Sequence, residues 1–280
     1  MRGILSRCPT GRQWRVIVAV LIVLLYAGVV VLGLRAKQLV SYIHGPLTKG
    51  KLAWEPPRQR DIPTGVLGES IRRGSLLFSD TPLFAAKYTS SRISCGNCHA
   101  EGGIQPFASP MVGLPPLFPM FNQRAGHMIS LKDRIQECFV RSENGKPLPY
   151  DSTEMRALVD YIEWLSLPVP GRKPYIGRGL VDLPVLVPDP AKGAQIYAAQ
   201  CAGCHGQNGG GRTPLAPAVW GPDSFNDGAG MYGIPKMAAF VQHNMPQNRM
   251  GILTAQDAYD VSAFIHAQPR PVFNQAYKHF

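Results

Sequence analysis

Two short cysteine–histidine motifs are the part of this sequence best suited to chemistry. Both read C-x-x-C-H, with Cys95, Cys98 and His99 in the first copy and Cys201, Cys204 and His205 in the second. In such a motif the two thiols add across the vinyl groups of a haem, and the histidine coordinates its iron. A single copy also fits a redox C-x-x-C pair or half of a zinc site. Two copies, each completed by histidine, predict two covalently bound haem c groups.

A sequence repeat surrounds the two motifs. Gly74 lies four residues before Phe78 ahead of the first motif, and Gly193 lies four residues before Tyr197 ahead of the second. A glycine at this position permits close contact with another helix, and the aromatic ring packs beside it. The first copy has 16 residues between its aromatic residue and Cys95, whereas the second has three in the same place. This difference predicts a loop insertion beside the first haem.

A second amphipathic helix is predicted after each motif. One begins near Ser152 and the other near Thr254, where small polar residues supply N-cap chemistry. Crossed N- and C-terminal helices around a haem describe the class I cytochrome c fold. The sequence therefore predicts an all-α protein with two tandem class I cytochrome c domains, at residues 69–170 and 191–280. A proline-rich linker at residues 171–190 joins them.

The first 35 residues are typical of a cytoplasmic stub followed by a transmembrane signal anchor. Residues 16–34 carry no charge and would span about 28 Å as a helix, close to the hydrocarbon thickness of a bilayer. Four arginines precede this stretch, which places the N-terminus in the cytoplasm. No clear cleavage site follows. We therefore expect a single-pass protein of the inner (cytoplasmic) membrane, a tether at residues 36–68, and haem domains in the periplasm.

Each iron needs a distal ligand from the loop before the last helix of its domain. In the second domain Met245 is the favoured candidate, because it precedes Pro246 and is therefore biased toward extended backbone. A thioether ligand would raise the haem potential. The competing residues are His243, which would make a lower-potential bis-histidine haem, Met250, and Met237, whose apolar helical surroundings favour a core position.

The same spacing suggests a ligand for the first haem. Met245 lies 40 residues after His205, and counting 39 or 40 residues from His99 reaches Cys138 or Phe139. A lone cysteine is ordinarily a small buried apolar residue, yet the position favours Cys138 as a distal thiolate. The methionines that could replace it lie closer to the motif, at Met111, Met120 and Met128. A thiolate ligand would lower the potential of this haem.

Basic residues cluster around Cys138. Arg134 precedes it by four residues, so a helix would place both side chains on one face. Arginine offers paired donors to oxyanions and keeps its charge. Arg134 and Arg124 fit either an anion pocket or a solvated basic face. The formal net charge of +11 is partly a targeting feature of the N-terminus, so we expect no nucleic-acid binding.

The stretch LKDRIQECFVRSENGKPL at residues 131–148, with the two C-x-x-C-H motifs, resembles the dihaem thiosulfate dehydrogenases. These periplasmic c-type cytochromes join two thiosulfates into tetrathionate, and some run in reverse. The resemblance implies His99 and Cys138 as ligands of a catalytic haem. Its pocket residues would fall on Arg124, Arg134 and Ser142. The second, electron-transferring haem would take Met245, whereas Asn244 stands where some members have lysine. The membrane segment departs from the family's soluble forms.

These observations lead to an expected function. The protein would oxidise two thiosulfates to tetrathionate, with Cys138 forming a sulfur–sulfur adduct that a second thiosulfate resolves. Electrons would pass through the second haem to a c-type cytochrome or another respiratory acceptor, and the protein would be a monomer. The alternative is a membrane-anchored dihaem electron carrier without its own substrate, which would show Met or His on both irons. A dihaem peroxidase has no support beyond the haem count.

Overall fold

Residues 56–167 and 177–280 are the part of the chain that this computed structural model describes. The first half contains helices α1 (Gly65–Ser79), α2 (Thr81–Phe84), α3 (Cys95–Cys98), α4 (Ala100–Gly103), α5 (Leu131–Arg141) and α6 (Thr153–Ser166). The second half contains α7 (Pro190–Ile196), continued by a π-helical turn at Tyr197–Cys201, then α8 (Ala202–His205), α9 (Ile234–Asn244) and α10 (Ala255–His266). The predicted membrane segment at residues 16–34 lies outside the described residues. Among those that are described, no helix is both long and apolar enough to cross a bilayer.

The helices that follow the motifs begin where the sequence predicts. The Ser152 hydroxyl accepts a hydrogen bond from the backbone N–H of Met155 at 3.1 Å. The Thr254 hydroxyl accepts one from the backbone N–H of Asp257 at 3.1 Å, and the Asp257 carboxylate accepts from Thr254 in return. These caps satisfy N–H groups that the first helical turn leaves without partners. The predicted starts of α6 and α10 are confirmed.

Glycine allows two helices to cross in each half. A Cβ atom added to Gly74 would lie 2.0 Å from the backbone oxygen of Ala157, so α1 and α6 are in backbone contact there. A Cβ atom added to Gly193 would lie 2.0 Å from the backbone oxygen of Asp260, which brings α7 equally close to α10. The aromatic residues four positions later, Phe78 and Tyr197, are buried beside these crossings. The role predicted for the repeated glycine is confirmed in both halves.

The expectation of an all-α protein is incomplete. Two short antiparallel strands, β1 (Met120–Asn122) and β2 (His127–Ile129), form a hairpin in the first half, with Phe121 opposite Met128. A four-residue turn joins them and uses Gly126 at φ +75°. Strands of three residues are too short for an alternating pattern to show in a sequence. The loop insertion predicted between Phe78 and Cys95 is a separate segment and contains α2, whose first turn is capped by the side chain of Asp80.

Two buried asparagines join the two halves of the described chain. The Asn226 side chain donates to the backbone oxygen of Val140 at 2.9 Å and to the side chain of Asn144 at 3.1 Å. Its backbone N–H donates to the backbone oxygen at the end of α5. The Asn244 side chain donates to the backbone oxygen of Phe107 at 3.0 Å. These bonds tie the second half both to the carboxyl end of α5 and to the loop after the first motif.

Candidate haem and anion sites

The first C-x-x-C-H motif forms one helical turn that ends at an oriented histidine. Ser94 caps α3, and the Asn97 side chain accepts a hydrogen bond from its backbone N–H at 2.7 Å. His99 Nδ1 lies 2.6 Å from the backbone oxygen of Ser109. A carbonyl oxygen only accepts, so Nδ1 carries the proton and Nε2 keeps a lone pair for a metal. Burial lowers the pKa of His99 to about 4, and the charge of Arg134 acts in the same direction.

The second motif repeats this arrangement. Cys201 and Cys204 lie on consecutive helical turns, and His205 Nδ1 lies 2.9 Å from the backbone oxygen of Pro217. Burial lowers the pKa of His205, so its imidazole is neutral at physiological pH. Within residues 56–167 and 177–280, no group of three or more His, Cys, Asp and Glu is arranged to hold a metal ion. The donor set fits haem c in both halves.

Helix α5 places Cys138 beside the first motif. Burial raises the pKa of Cys98 to about 12, and the charge of Cys138 contributes to that rise. The pKa of Cys95 is likewise raised, first by burial, with a contribution from Cys138. The geometry agrees, because Cys95 Sγ lies 4.0 Å from Glu143 Oε1 and the backbone N–H of Glu143 donates to the backbone oxygen of Cys138 at 3.0 Å. Glu143 thus links the end of α5 to the first motif, although Cys138 follows Cys98 by 40 residues.

Arg134 and Cys138 share α5, and the Asn122 side chain, which accepts from the backbone N–H of Arg124, donates to Glu137 on the same helix. We call Arg124, Arg134 and Cys138 the anion pocket. Burial raises the pKa of the Cys138 thiol, whereas the positive charges of Arg134 and Arg124 oppose the rise. The Arg134 side chain is 45% exposed and lies one turn before Cys138 on α5, as its spacing predicts. Arg124 is exposed in the hairpin turn. The pocket thus combines two cations with a partly exposed thiol.

Ser142 lies at the carboxyl end of α5, one turn after Cys138. Its backbone N–H donates to the backbone oxygen of Cys138 at 2.8 Å. Its backbone oxygen accepts a hydrogen bond from the Ser91 hydroxyl at 3.5 Å, and the residue is half-buried.

The four candidates for the second distal ligand lie on α9 and in the loop that follows it. Met245 follows the helix in extended backbone, at φ −124° and ψ 148°, and packs against the core of the second half. The ring of His243 instead meets the ring of Phe107 edge-on, with centroids 4.8 Å apart. Met237 is 5% exposed and belongs to the core, whereas Met250 is 48% exposed. Met245 is the candidate that lies in the loop and also packs against the core.

The three methionines that are alternatives to Cys138 lie in the core of the first half or on its hairpin. Met111 is 8% exposed and belongs to the hydrophobic core. Met120 and Met128 lie on the hairpin, where they are 41% and 56% exposed.

Two buried carboxylates were not anticipated from the sequence. Glu137 and Glu143 are each 1% exposed and flank Cys138 on α5 and just after it. Glu137 forms an ion pair with Arg134, three residues earlier. That spacing is the one signal that could have identified it, because residues three apart face each other on a helix. Burial raises the pKa of Glu143 well above its ordinary value. Nothing in the local sequence around Glu143 indicates this.

Comparisons with known proteins agree with this architecture. The SoxA/TsdA cytochrome c domain matches residues 81–170, and a cytochrome c domain matches residues 190–269. A thiosulfate dehydrogenase from Stutzerimonas stutzeri is 38% identical over 228 residues, which are 79% of this chain and 74% of the relative. One from Allochromatium vinosum is 36% identical over 252 residues, 86% of this chain and 92% of the relative.

A solved structure supports the same assignment. The thiosulfate dehydrogenase TsdBA from Marichromatium purpuratum aligns with a TM-score of 0.74 at 34% identity, over 78% of this chain. The chain spans 50% of that longer protein. Two cytochrome c domains indicate haem c binding, and the relatives named thiosulfate dehydrogenase are oxidoreductases by that name. The chain is an oxidoreductase that belongs to the thiosulfate dehydrogenase family.

Proposed function

We propose that the protein oxidises thiosulfate, joining two molecules into tetrathionate. The observation that carries the proposal is the anion pocket, in which α5 carries Arg134 and Cys138 and a hydrogen bond from Asn122 to Glu137 holds the hairpin turn of Arg124 against that helix. A carrier of electrons needs neither a pocket cation nor a free thiol at this place. The relatives named thiosulfate dehydrogenase support the choice of substrate.

The proposal includes two covalent haem c groups. Cys95 and Cys98 would hold the first and Cys201 and Cys204 the second, with His99 and His205 as the proximal ligands. Cys138 and Met245 are the proposed distal ligands. When bound, each haem accepts one electron, so the pair matches the two electrons released by the reaction. The inward position of Met245, and the contact of the His243 ring with Phe107, support the methionine.

The residues of the anion pocket have two tasks in this reaction. Two thiosulfate dianions repel each other, and the positive charges of Arg124 and Arg134 offset that repulsion. The same charges favour the thiolate form of Cys138, because they oppose the effect of burial on the pKa of its thiol. The Ser142 hydroxyl would donate to a substrate oxygen.

In the proposed reaction, Cys138 forms a covalent adduct with one thiosulfate and is then released by a second. Its thiolate sulfur bonds to the outer sulfur of one thiosulfate with loss of two electrons, which gives a Cys–S–S–SO₃⁻ adduct. The outer sulfur of a second thiosulfate attacks the adduct at the substrate-derived sulfur. Tetrathionate leaves with the new sulfur–sulfur bond, and the Cys138 thiolate is restored.

The proposed location is the inner membrane, with both haem domains in the periplasm. The support is the uncharged stretch at residues 16–34 and the four arginines before it. A membrane-held monomer would pass electrons to a c-type cytochrome or another respiratory acceptor nearby. Fractionation of cells that express the full chain tests this. Recovery of the haem protein from the soluble periplasmic fraction would contradict the anchor.

The experiment that tests the activity compares the wild type with Cys138→Ala. With an artificial electron acceptor and thiosulfate, the wild type should form tetrathionate, and the variant should not, although both haems remain attached. Met128→Leu is a matched control, because it alters an exposed sulfur residue of the same half. Normal turnover in Cys138→Ala would refute the mechanism.

Electron paramagnetic resonance of the oxidised protein tests the ligand separately. A low-spin thiolate–haem signal should be present in the wild type and lost in Cys138→Met. Signals of His/Met or His/His haems alone, in both proteins, would favour the electron carrier.

A further inference from the structure

A buried carboxylate lies inside the anion pocket. Glu137 is 1% exposed and immediately precedes Cys138 on α5. Burying a carboxylate is costly unless each of its oxygens has a partner. The two oxygens of Glu137 bind two different partners, and each partner leads to one of the two pocket arginines. The carboxylate thus contacts both elements that carry the pocket arginines.

One carboxylate oxygen holds Arg134. Glu137 Oε2 accepts a hydrogen bond from Arg134 Nη1 at 2.5 Å. The Glu137 side chain is 2% exposed, whereas that of Arg134 is 45% exposed. The ion pair therefore anchors one N–H group of the guanidinium on the protein, while nearly half of the Arg134 side chain stays accessible to a ligand. A planar guanidinium held at one edge presents the remaining donors in a fixed direction.

The other oxygen holds the hairpin turn. Glu137 Oε1 accepts a hydrogen bond from Asn122 Nδ2 at 2.8 Å. Asn122 Oδ1 in turn accepts from the backbone N–H groups of Arg124 at 2.9 Å and Ala125 at 3.2 Å. Asn122 is the last residue of β1, so this chain of bonds fixes the start of the turn that carries Arg124. The hydrogen bond between Asn122 and Glu137 thus joins two residues that are 15 positions apart in the sequence.

The sign of the charge shows that Glu137 is not present to attract the substrate. A negative charge beside an anion pocket opposes the binding of a dianion. Its electrostatic effect on affinity is therefore unfavourable, and only its effect on geometry can favour binding. We propose that Glu137 is a positioning residue that orients both Arg134 and Arg124 toward a divalent sulfur oxoanion. The identity of that anion as thiosulfate rests on the proposed function.

The variant Glu137→Gln separates geometry from charge. Glutamine keeps the size of the side chain, loses the ion pair with Arg134 and removes one negative charge. If Glu137 orients the arginines, the affinity for a dianion should fall by about tenfold, the effect of losing one charge-assisted hydrogen bond. If the carboxylate acts by charge alone, the affinity should rise instead. The two explanations thus predict changes of opposite sign.

Sulfate is the probe, because it is a tetrahedral dianion that neither donates electrons nor reacts with a thiol. Calorimetric titration of the oxidised holoprotein at low ionic strength measures its dissociation constant without turnover. Glu163→Gln is the matched control, since it removes the same charge from an exposed position on α6. This control should bind sulfate as the wild type does. A purely structural role for Glu137 would lower the melting temperature and leave sulfate affinity unchanged.

Two more variants keep the test decisive. Glu137→Asp retains the charge but shortens the reach, so positioning predicts weak sulfate binding and a charge effect predicts wild-type binding. Asn122→Ala breaks only the link to the turn of Arg124 and covers the case in which Glu137 variants fail to fold. It should weaken sulfate binding as well. Wild-type affinity in all folded variants would overturn the proposal.

The failure of this proposal differs from failure of the proposed function. If the wild type binds sulfate and Glu137→Gln weakens that binding, Glu137 is a positioning residue even where thiosulfate is not oxidised. If the wild type oxidises thiosulfate and Glu137→Gln has wild-type KM and sulfate affinity, the function stands and the role of Glu137 does not. Absence of sulfate binding to the wild type would overturn the anion pocket and with it this role of Glu137.

Discussion

Adding one methyl group at each helix crossing should damage one domain at a time. Gly74→Ala would place a Cβ atom 2.0 Å from the backbone oxygen of Ala157, and Gly193→Ala would place one 2.0 Å from that of Asp260. A carbon and an oxygen that are not bonded need about 3.3 Å or more. Each helix pair must therefore separate by about 1 Å. Backbone lines both contacts, so no side chain can simply rotate away.

The magnitude follows from two opposing effects. Overpacking of this kind costs about 1–3 kcal/mol or more of unfolding free energy. Replacing glycine by alanine within a helix returns about 0.5–1 kcal/mol. The net loss of about 1–2 kcal/mol corresponds to a fall in melting temperature of roughly 2 to 8 °C for a chain of this size. Gly230→Ala is the control, because no atom lies within 4 Å of an added Cβ there.

Thermal unfolding followed by helical circular dichroism and by haem absorbance is the assay. Gly74→Ala should disturb the spectrum of the first haem and Gly193→Ala that of the second, because each crossing encloses its own motif. Unchanged melting temperatures and spectra in both variants would show that α1 with α6, and α7 with α10, do not meet at these glycines.

Three further substitutions test other parts of the structure. Asn226→Ala should lower the unfolding free energy by about 2–4 kcal/mol in urea, because two or three buried hydrogen bonds are lost, whereas the exposed Asn248→Ala should change little. Asn244→Ala removes a bond to the first domain and should weaken the methionine–haem charge-transfer band if Met245 binds iron; an unchanged band would mean that this bond does not position the loop. Burial raises the pKa of Glu143 above its ordinary 4.5, so its contribution to stability is full at low pH and is lost as pH rises through the folded pKa. Glu143→Gln does not titrate, so its melting temperature relative to wild type should increase between pH 5 and pH 8; a constant difference would contradict the shift.

The crossings of the helices could be predicted because their cause is local. Each crossing is predicted by a five-residue stretch that begins with glycine and ends with an aromatic residue, at Gly74–Phe78 and at Gly193–Tyr197. The caps at the starts of α6 and α10 are equally local. The hairpin at residues 120–129 could not be predicted, since strands of three residues leave no alternating pattern. Its position depends on a bond from Asn122 to α5 that no short window of sequence contains.

The candidate site also has some features that the sequence predicts and others that it does not. The one-turn spacing of Arg134 and Cys138 on a helix was visible, and the structure places both on α5. Arg124 was a candidate only because arginine binds anions, since the sequence did not show the hairpin that links it to α5. The burial of Glu137 and Glu143 could not be predicted, because an acidic residue on a helix is ordinarily solvated. Local rules fail here at the residues that surround the proposed chemistry, where burial of charge has to be supported by distant partners.

The nature of the contacts between the two halves bears on how electrons could pass between them. Asn226 and Asn244 are 1% and 3% exposed, and both donate to backbone oxygens of the other half. Hydrogen bonds are directional, so buried ones of this kind fix a single orientation more strictly than an apolar surface of the same area would. The oxygen that Asn244 binds belongs to Phe107, two residues from Ser109, whose own oxygen holds His99. One short segment therefore sets the position of the end of α9, and so of Met245 after it, relative to the first histidine. It thereby influences the separation of the two sites across which an electron would move.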